Sequence, residues 1–246
     1  MVEELGPALT HKDVDVRLQG TKFLSDLLRS LPNDLLDPTQ LNFIVTFYCD
    51  RMKDHHSIAP QVIVGLLAAS KMKNLPRTAP VQILQALFAH IPCQSQVRGD
   101  RANILSLIQL LSDNYQPELD GMGADFIYGV IQAVEGERDP RNLVFLFEFM
   151  PRFISVYSLR HLTEEMFEVF SCYFPIDFHP SPNDPQAITR DALAAKLSVC
   201  LCASPEFADF CFALALEKLD SDLSVAKLDS LRLLVSLKIS WLIEFH

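Results

Sequence analysis

The chain has 246 residues, 49% of them hydrophobic and 21% charged. That is enough apolar material to exclude a mainly disordered protein or a small disulfide-stapled one. Lys plus Arg number 21 against 31 Asp plus Glu, a formal net charge of −10, so long-range repulsion opposes binding to polyanionic DNA or RNA. Eight glycines against fifteen prolines argue against glycine-rich phosphate loops and for helices parted by firm turns.

The start, Met1-Val2-Glu3-Glu4, is acidic where a secretory signal is basic. Asp13-Val14-Asp15-Val16-Arg17 reads as a turn opening a helix on which Leu24, Leu27, Leu28 and Leu31 recur at the helical period. Pro32 and Pro38 bracket the next turn. Cys49, Asp50, Asp54, His55 and His56 are metal-ligand types, but adjacent histidines point in different directions and a closed zinc site needs four converging ligands. The segment is read as a polar helix end and turn. Ile58 to Ser70 is the longest apolar run, broken by Pro60 and Gln61, and it falls short of the roughly 18 residues that span a bilayer. No membrane association is expected, and the protein is read as soluble and cytosolic.

Pro76 and Pro80 bracket another turn, followed by the helical set Ile83, Leu84, Leu87, Phe88 and Ile91. Pro92, Pro117, Pro140 and Pro151 are expected to mark further helix ends. Gly121-Met122-Gly123 only begins a dinucleotide fingerprint, since Phe126 stands where the third glycine belongs and no strand precedes it. No nucleophile elbow, P-loop or H-E-x-x-H pattern occurs, and no residue is assigned as catalytic. Glu164, Glu165, Asp220 and Asp222 read as caps and first-turn charges.

Two loops stand out. Glu135-Gly136-Glu137-Arg138-Asp139-Pro140-Arg141 is a charged connection whose plain reading is a solvated turn. Its functional reading makes Glu137, Arg138, Asp139 and Arg141 recognition residues. Phe174 to Pro185 mixes aromatics with four backbone-fixing prolines and Asn183-Asp184. Either Phe174, Ile176 and Phe178 pack down on the fold, or the loop docks a partner through Phe178, His179, Asn183 and Asp184. Cys200, Cys202 and Cys211 do not suit an iron–sulfur cluster, because residues two apart lie about 200° apart around a helix and no C-x-x-C occurs. The six cysteines read as small buried hydrophobes in a reducing compartment. No cofactor or metal is expected.

The spacing suggests a repeat. Arg17 is followed by Gly20, Leu24 and Leu27 at offsets of three, seven and ten, and Lys227 by Ser230, Leu234 and Leu237 at the same offsets. Arg98 is followed by Leu105 and Ile108 at seven and ten. The intervals, 81 and 210 residues, approximate two and five periods of about 40, the HEAT-repeat length. Aspartate is expected to cap the second helix of each pair. The expected fold is an all-α HEAT-repeat solenoid of about six antiparallel helix pairs, with partner residues on the second helices inside its curve. The array is assigned to residues 1–237, and residues 238–246 to a divergent tail or truncation point.

Gly136-Glu137-Arg138-Asp139-Pro140-Arg141-Asn142-Leu143 resembles one family, as do Ser171-Cys172-Tyr173-Phe174-Pro175-Ile176-Asp177-Phe178 and Pro182-Asn183-Asp184-Pro185. Leu219-Asp220-Ser221-Asp222 and Ala226-Lys227-Leu228-Asp229-Ser230-Leu231 carry the same resemblance. The family is the HEAT-repeat scaffold of the cytosolic iron–sulfur assembly targeting complex, also called the methyl-methanesulfonate-sensitivity or methionine-eighteen nucleotide excision repair family. The resemblance covers about residues 1–237 and is to the N-terminal domain, in a short form. It implies a noncatalytic adaptor that helps deliver iron–sulfur clusters to apoproteins of DNA repair, replication and transcription. Implied partners are client DNA helicases and polymerases and the other targeting-complex subunits, whose docking region lies in C-terminal repeats outside this chain. Implied locations are cytoplasm and nucleus, with the spindle as a third. Two rival readings exist: a HEAT-like DNA-repair glycosylase, opposed by the charge of −10, and a general HEAT scaffold for transport or phosphatase assembly.

Overall fold

The computed structural model describes residues 2–179 and 188–244, with side chains for residues 5–179 and 188–237. Among the described residues every regular element is a helix. The protein is all-α, as the three- and four-residue spacing of its apolar positions predicts. It divides into two compact units, Met1–Ala133 and Val134–His246.

The first unit holds α1 (Val2–Leu9), α2 (Val14–Ser30), α3 (Pro38–Arg51), α4 (Ala59–Ala69), α5 (Ala79–His90), α6 (Arg98–Asn114), the five-residue α7 (Gln116–Asp120) and α8 (Ala124–Val134), whose last residue falls past the division. Helix α2 packs on α4 and α4 on α6, while α3 packs on α5 and α5 on α7. Contacts of α1 with α2 and of α3 with α4 join the two layers. The second unit repeats the scheme with α9 (Pro140–Val156), α10 (Thr163–Ser171), α11 (Arg190–Leu201), α12 (Ala208–Leu219) and α13 (Ser224–Glu244). Here α9, α11 and α13 form one layer, α10 and α12 the other, and α12 packs closely on α13. With α7 set aside, twelve described helices remain, enough for the six pairs the sequence predicts.

Side chains that bridge successive pairs measure the repeat directly. Arg17 reaches Asp54, Asn74 reaches the Leu36 carbonyl, Arg77 reaches Glu118, Tyr173 reaches the Glu137 carbonyl and Arg190 reaches Asp229, all 36 to 41 residues apart. The register differs by one residue from the sequence reading. Thr21 Oγ1 donates to the Arg17 carbonyl at 2.8 Å, and Ser230 Oγ to the Ala226 carbonyl at 2.8 Å. The buried sets Gly20, Thr21, Leu24, Leu28 and Asp229, Ser230, Leu233, Leu237 then coincide. Arg17 therefore corresponds to Ala226 and not to Lys227. A 3.6-residue period leaves such a shift open, and the buried hydroxyl decides it.

Two further expectations need correction. Aspartate caps only some of the second helices: Asp13 accepts the Asp15 N–H of α2 and Asp139 the Arg141 N–H of α9, but Thr189 caps α11, and α4 and α6 have no side-chain cap. Pro151 does not end a helix. It lies inside α9, where its missing N–H leaves the Phe147 carbonyl without its usual donor. Cys200 Sγ of α11, 3.3 Å away, donates there instead.

Candidate docking surface

The turn before α9 begins at Gly136, whose φ of +75° favours glycine over any L side chain. Glu137 follows and points inward, 1% exposed. Its Oε1 accepts the Arg138 and Asp139 N–H groups at 2.8 and 2.9 Å, and its Oε2 accepts Asn142 Nδ2 at 2.9 Å. The carboxylate that sequence reading placed among recognition residues thus braces the turn. Asp139 accepts the Arg141 N–H at 3.0 Å and both arms of the Arg141 guanidinium at 2.9 and 2.7 Å. This pairing raises the Arg141 pKa above its ordinary value. Arg138 faces solvent.

The second loop lies against the first. Tyr173 donates its hydroxyl to the Glu137 carbonyl at 2.8 Å and sets its ring edge-on to Phe147, 5.7 Å between centroids. Burial pushes its phenol pKa up. Phe174 and Ile176 are buried and Phe178 is half-buried. Arg190, at the start of α11, donates Nε to the Ile176 carbonyl at 3.1 Å while gripping Asp229 of α13. Between the loops opens a groove of about 290 Å³, lined by Arg138, Pro140, Leu143, Tyr173, Phe178 and Leu193. His179 and Asp177 stand exposed beside it, 3.7 Å apart. Asn183 and Asp184 lie outside the described residues. Two segments 30 to 40 residues apart in sequence therefore build one surface, which neither segment announces alone.

A larger groove, about 640 Å³, runs along α9, α11 and α13. It is lined by Pro151, Ala194, Ala195, Ser198 and Val199, and Val199 is 56% exposed. Sequence reading expected partners on second helices but named no residue here. The available signal was the small-residue face of α11, opposite the buried Leu193, Leu197, Cys200 and Leu201.

The thiols have structural partners. Cys211 Sγ donates to the Leu201 carbonyl at the end of α11, 3.0 Å away, and Cys49 Sγ faces the Gln82 carbonyl at 3.8 Å. Burial pushes Cys49 and Cys211 up to about 12, Cys202 up to about 11, and Cys200 up as well. Among the described residues no three His, Cys, Asp or Glu side chains converge as a metal site. Asp54 is held by Arg17 and Arg51, and His55 Nδ1 lies 2.9 Å from Ser57 Oγ.

Stacked helix pairs carrying surface grooves, bridged at about forty residues, define an α-helical repeat protein. Residues 2–241 match the family model MMS19_N, Dos2-interacting transcription regulator of RNA-Pol-II. The chain belongs to that family. It is 54% identical over 234 residues to the MMS19 nucleotide excision repair protein of Drosophila melanogaster, covering 95% of this chain and 24% of the relative. The Mus musculus and Homo sapiens homologues are 42% and 41% identical, each over 95% of this chain and 23% of the relative. The chain spans about a quarter of the length of these curated relatives.

Proposed function

We propose that this chain is a noncatalytic protein-binding adaptor of DNA repair and transcription, and that its task is to help pass iron–sulfur clusters to client apoproteins. The observation that carries the reading is 54% identity, across 95% of the chain, to a protein named for nucleotide excision repair. The fold supports an adaptor rather than an enzyme. Two of its grooves lie on helices α9, α11 and α13 and between two braced loops, and most polar groups near these two are engaged in ion pairs and turn hydrogen bonds. The clients are helicases and polymerases of the nucleus and cytoplasm. The cluster is cargo held by other members of the assembly, consistent with the protonated, carbonyl-bound thiols here.

An affinity pull-down of the tagged chain from cell extract, read by mass spectrometry, tests this. Enrichment of iron–sulfur helicases or polymerases is the expected result, reduced by substitutions in the loop groove such as Arg138→Glu with Phe178→Ser. Recovery of chaperones alone would sink the reading for this region.

A further inference from the structure

In the first unit, α2, α4 and α6 enclose a separate groove of about 410 Å³. Its apolar lining is Leu28, Val64, Leu67 and Ala68, and around it stand Arg29, Asn33, Lys71 and Asn103. These four side chains carry only cationic or amide donors on their nitrogens.

Three other cations of this unit are answered inside the fold. Arg17 and Arg51 share Asp54 at 2.6 and 3.0 Å, and Arg77 meets Glu118 at 2.6 Å. Arg29 has only Asp26 at 3.5 Å, with the two side chains 64% and 53% exposed, a pairing worth little in water. Among the described residues Lys71 meets no carboxylate, and the side-chain amides of Asn33 and Asn103 make no hydrogen bond. The Lys73 N–H bonds the Asn33 carbonyl at 2.8 Å, fixing that loop beside the end of α4. The nearest acids in sequence, Asp26 and Asp34, are exposed.

We propose that this groove receives a glutamate side chain from an acidic segment of a partner protein. Its carboxylate sits between Arg29 and Lys71, the amides of Asn33 and Asn103 donate to it, and its methylene stem lies on Leu28 and Leu67. Charge-assisted bonds to two cations fix one carboxylate, and the apolar floor rewards a stem that a bare anion lacks. The volume suits one or two side chains. A phosphodiester backbone presents no methylene stem to lie on Leu28 and Leu67, so a glutamate side chain fits the groove better than a nucleic acid. The proposal rests on the adaptor reading only in taking the ligand to be protein.

The test is titration of the ¹⁵N-labelled chain with acetylated hexaglutamate, followed through the side-chain amide signals of Asn33 and Asn103. Saturable shifts at these two groups are expected, weakening with added salt. They fall at least about tenfold in apparent affinity in Arg29→Glu with Lys71→Glu, a variant of two exposed side chains whose fold is checked by circular dichroism. Inorganic phosphate is expected to shift them less. Equal shifts with phosphate, equal binding by hexalysine, or no saturable shift overturns the proposal. In the last case Arg29 and Lys71 only complement the C-terminal dipoles of α2 and α4. None of these outcomes bears on client capture in the pull-down, so the two readings fail separately.

Discussion

At Gly65 an added methyl would press into the ring of Tyr48 and lie 2.7 Å from Ser25 Oγ. The glycine opens α4 just where Tyr48 of α3, fully buried, meets Ser25 of α2 at 2.8 Å. Ser25 in turn donates to the Gln61 carbonyl at 2.8 Å, so the tyrosine hydroxyl is the donor to Ser25. Three helices are keyed together by two hydrogen bonds and one absent side chain. Gly65→Ala gains about 1 kcal/mol of helix propensity, but overpacking of this kind typically costs about 1–3 kcal/mol and more where backbone must shift. The expected outcome is net destabilisation, read as a lower midpoint in urea. A midpoint at or above that of the unaltered chain would show that the Tyr48 ring moves aside freely.

Elements are tied by a few such keys. Arg17 at the start of α2 gives Nε and one amino group to Asp54 at 2.9 and 2.6 Å, and its other amino group to the His11 and Lys12 carbonyls. The hydrogen bond from Arg17 is the main cause holding the Asp54 pKa below its ordinary value of 3.8. A lowered folded-state pKa contributes stability above the unfolded value, and that stability is lost as pH falls through the folded value. Asp54→Asn is therefore expected to be less stable at neutral pH, with the gap closing below pH 3.8 in chemical denaturation across a pH series. A gap constant with pH would mean that the ion pair contributes nothing through charge. Much of this level was legible in sequence. Apolar spacing predicts the helices, and Pro38 and Pro140 sit where α3 and α9 begin. Pro151 misleads because the group that repairs its helix, Cys200, is 49 positions away in sequence and acts through a tertiary contact. The loop groove was half legible. Both segments draw notice by composition, yet their union depends on the bond from Tyr173 to the Glu137 carbonyl, and no local pattern encodes a backbone acceptor.

For the molecule as a whole, the sixth pair carries an apolar face whose described side chains are partly exposed. Phe212, Leu216, Leu228, Leu231 and Val235 are each 44–60% exposed. The fifth pair carries a related aromatic position. The short helical turns Arg160–Leu162 and Pro205–Phe207 precede α10 and α12 in the same register, so Phe167 and Phe212 occupy equivalent places. Phe167 is buried against Phe207 and Phe210, with centroids 5.5 and 5.4 Å away. Phe212 is 44% exposed. Uncovered patches of this kind bind apolar dyes and promote association. Leu216→Ser with Leu231→Ser is expected to reduce the fluorescence of bound anilinonaphthalene sulfonate at neutral pH, with helicity unchanged. Equal dye binding would place the adhesive surface elsewhere.

The thiols have a wider consequence. Cys200 and Cys211 spend their protons on backbone carbonyls, and burial makes those protons hard to remove. A buried, carbonyl-bound thiol is a poor nucleophile and a poor target for oxidants, because the thiolate is the reactive form. Cys172 alone of the six is exposed, and even its thiol is held above the ordinary value. The interior sulfurs serve instead as donors to backbone carbonyls, one repairing α9 at Pro151 and one at the end of α11.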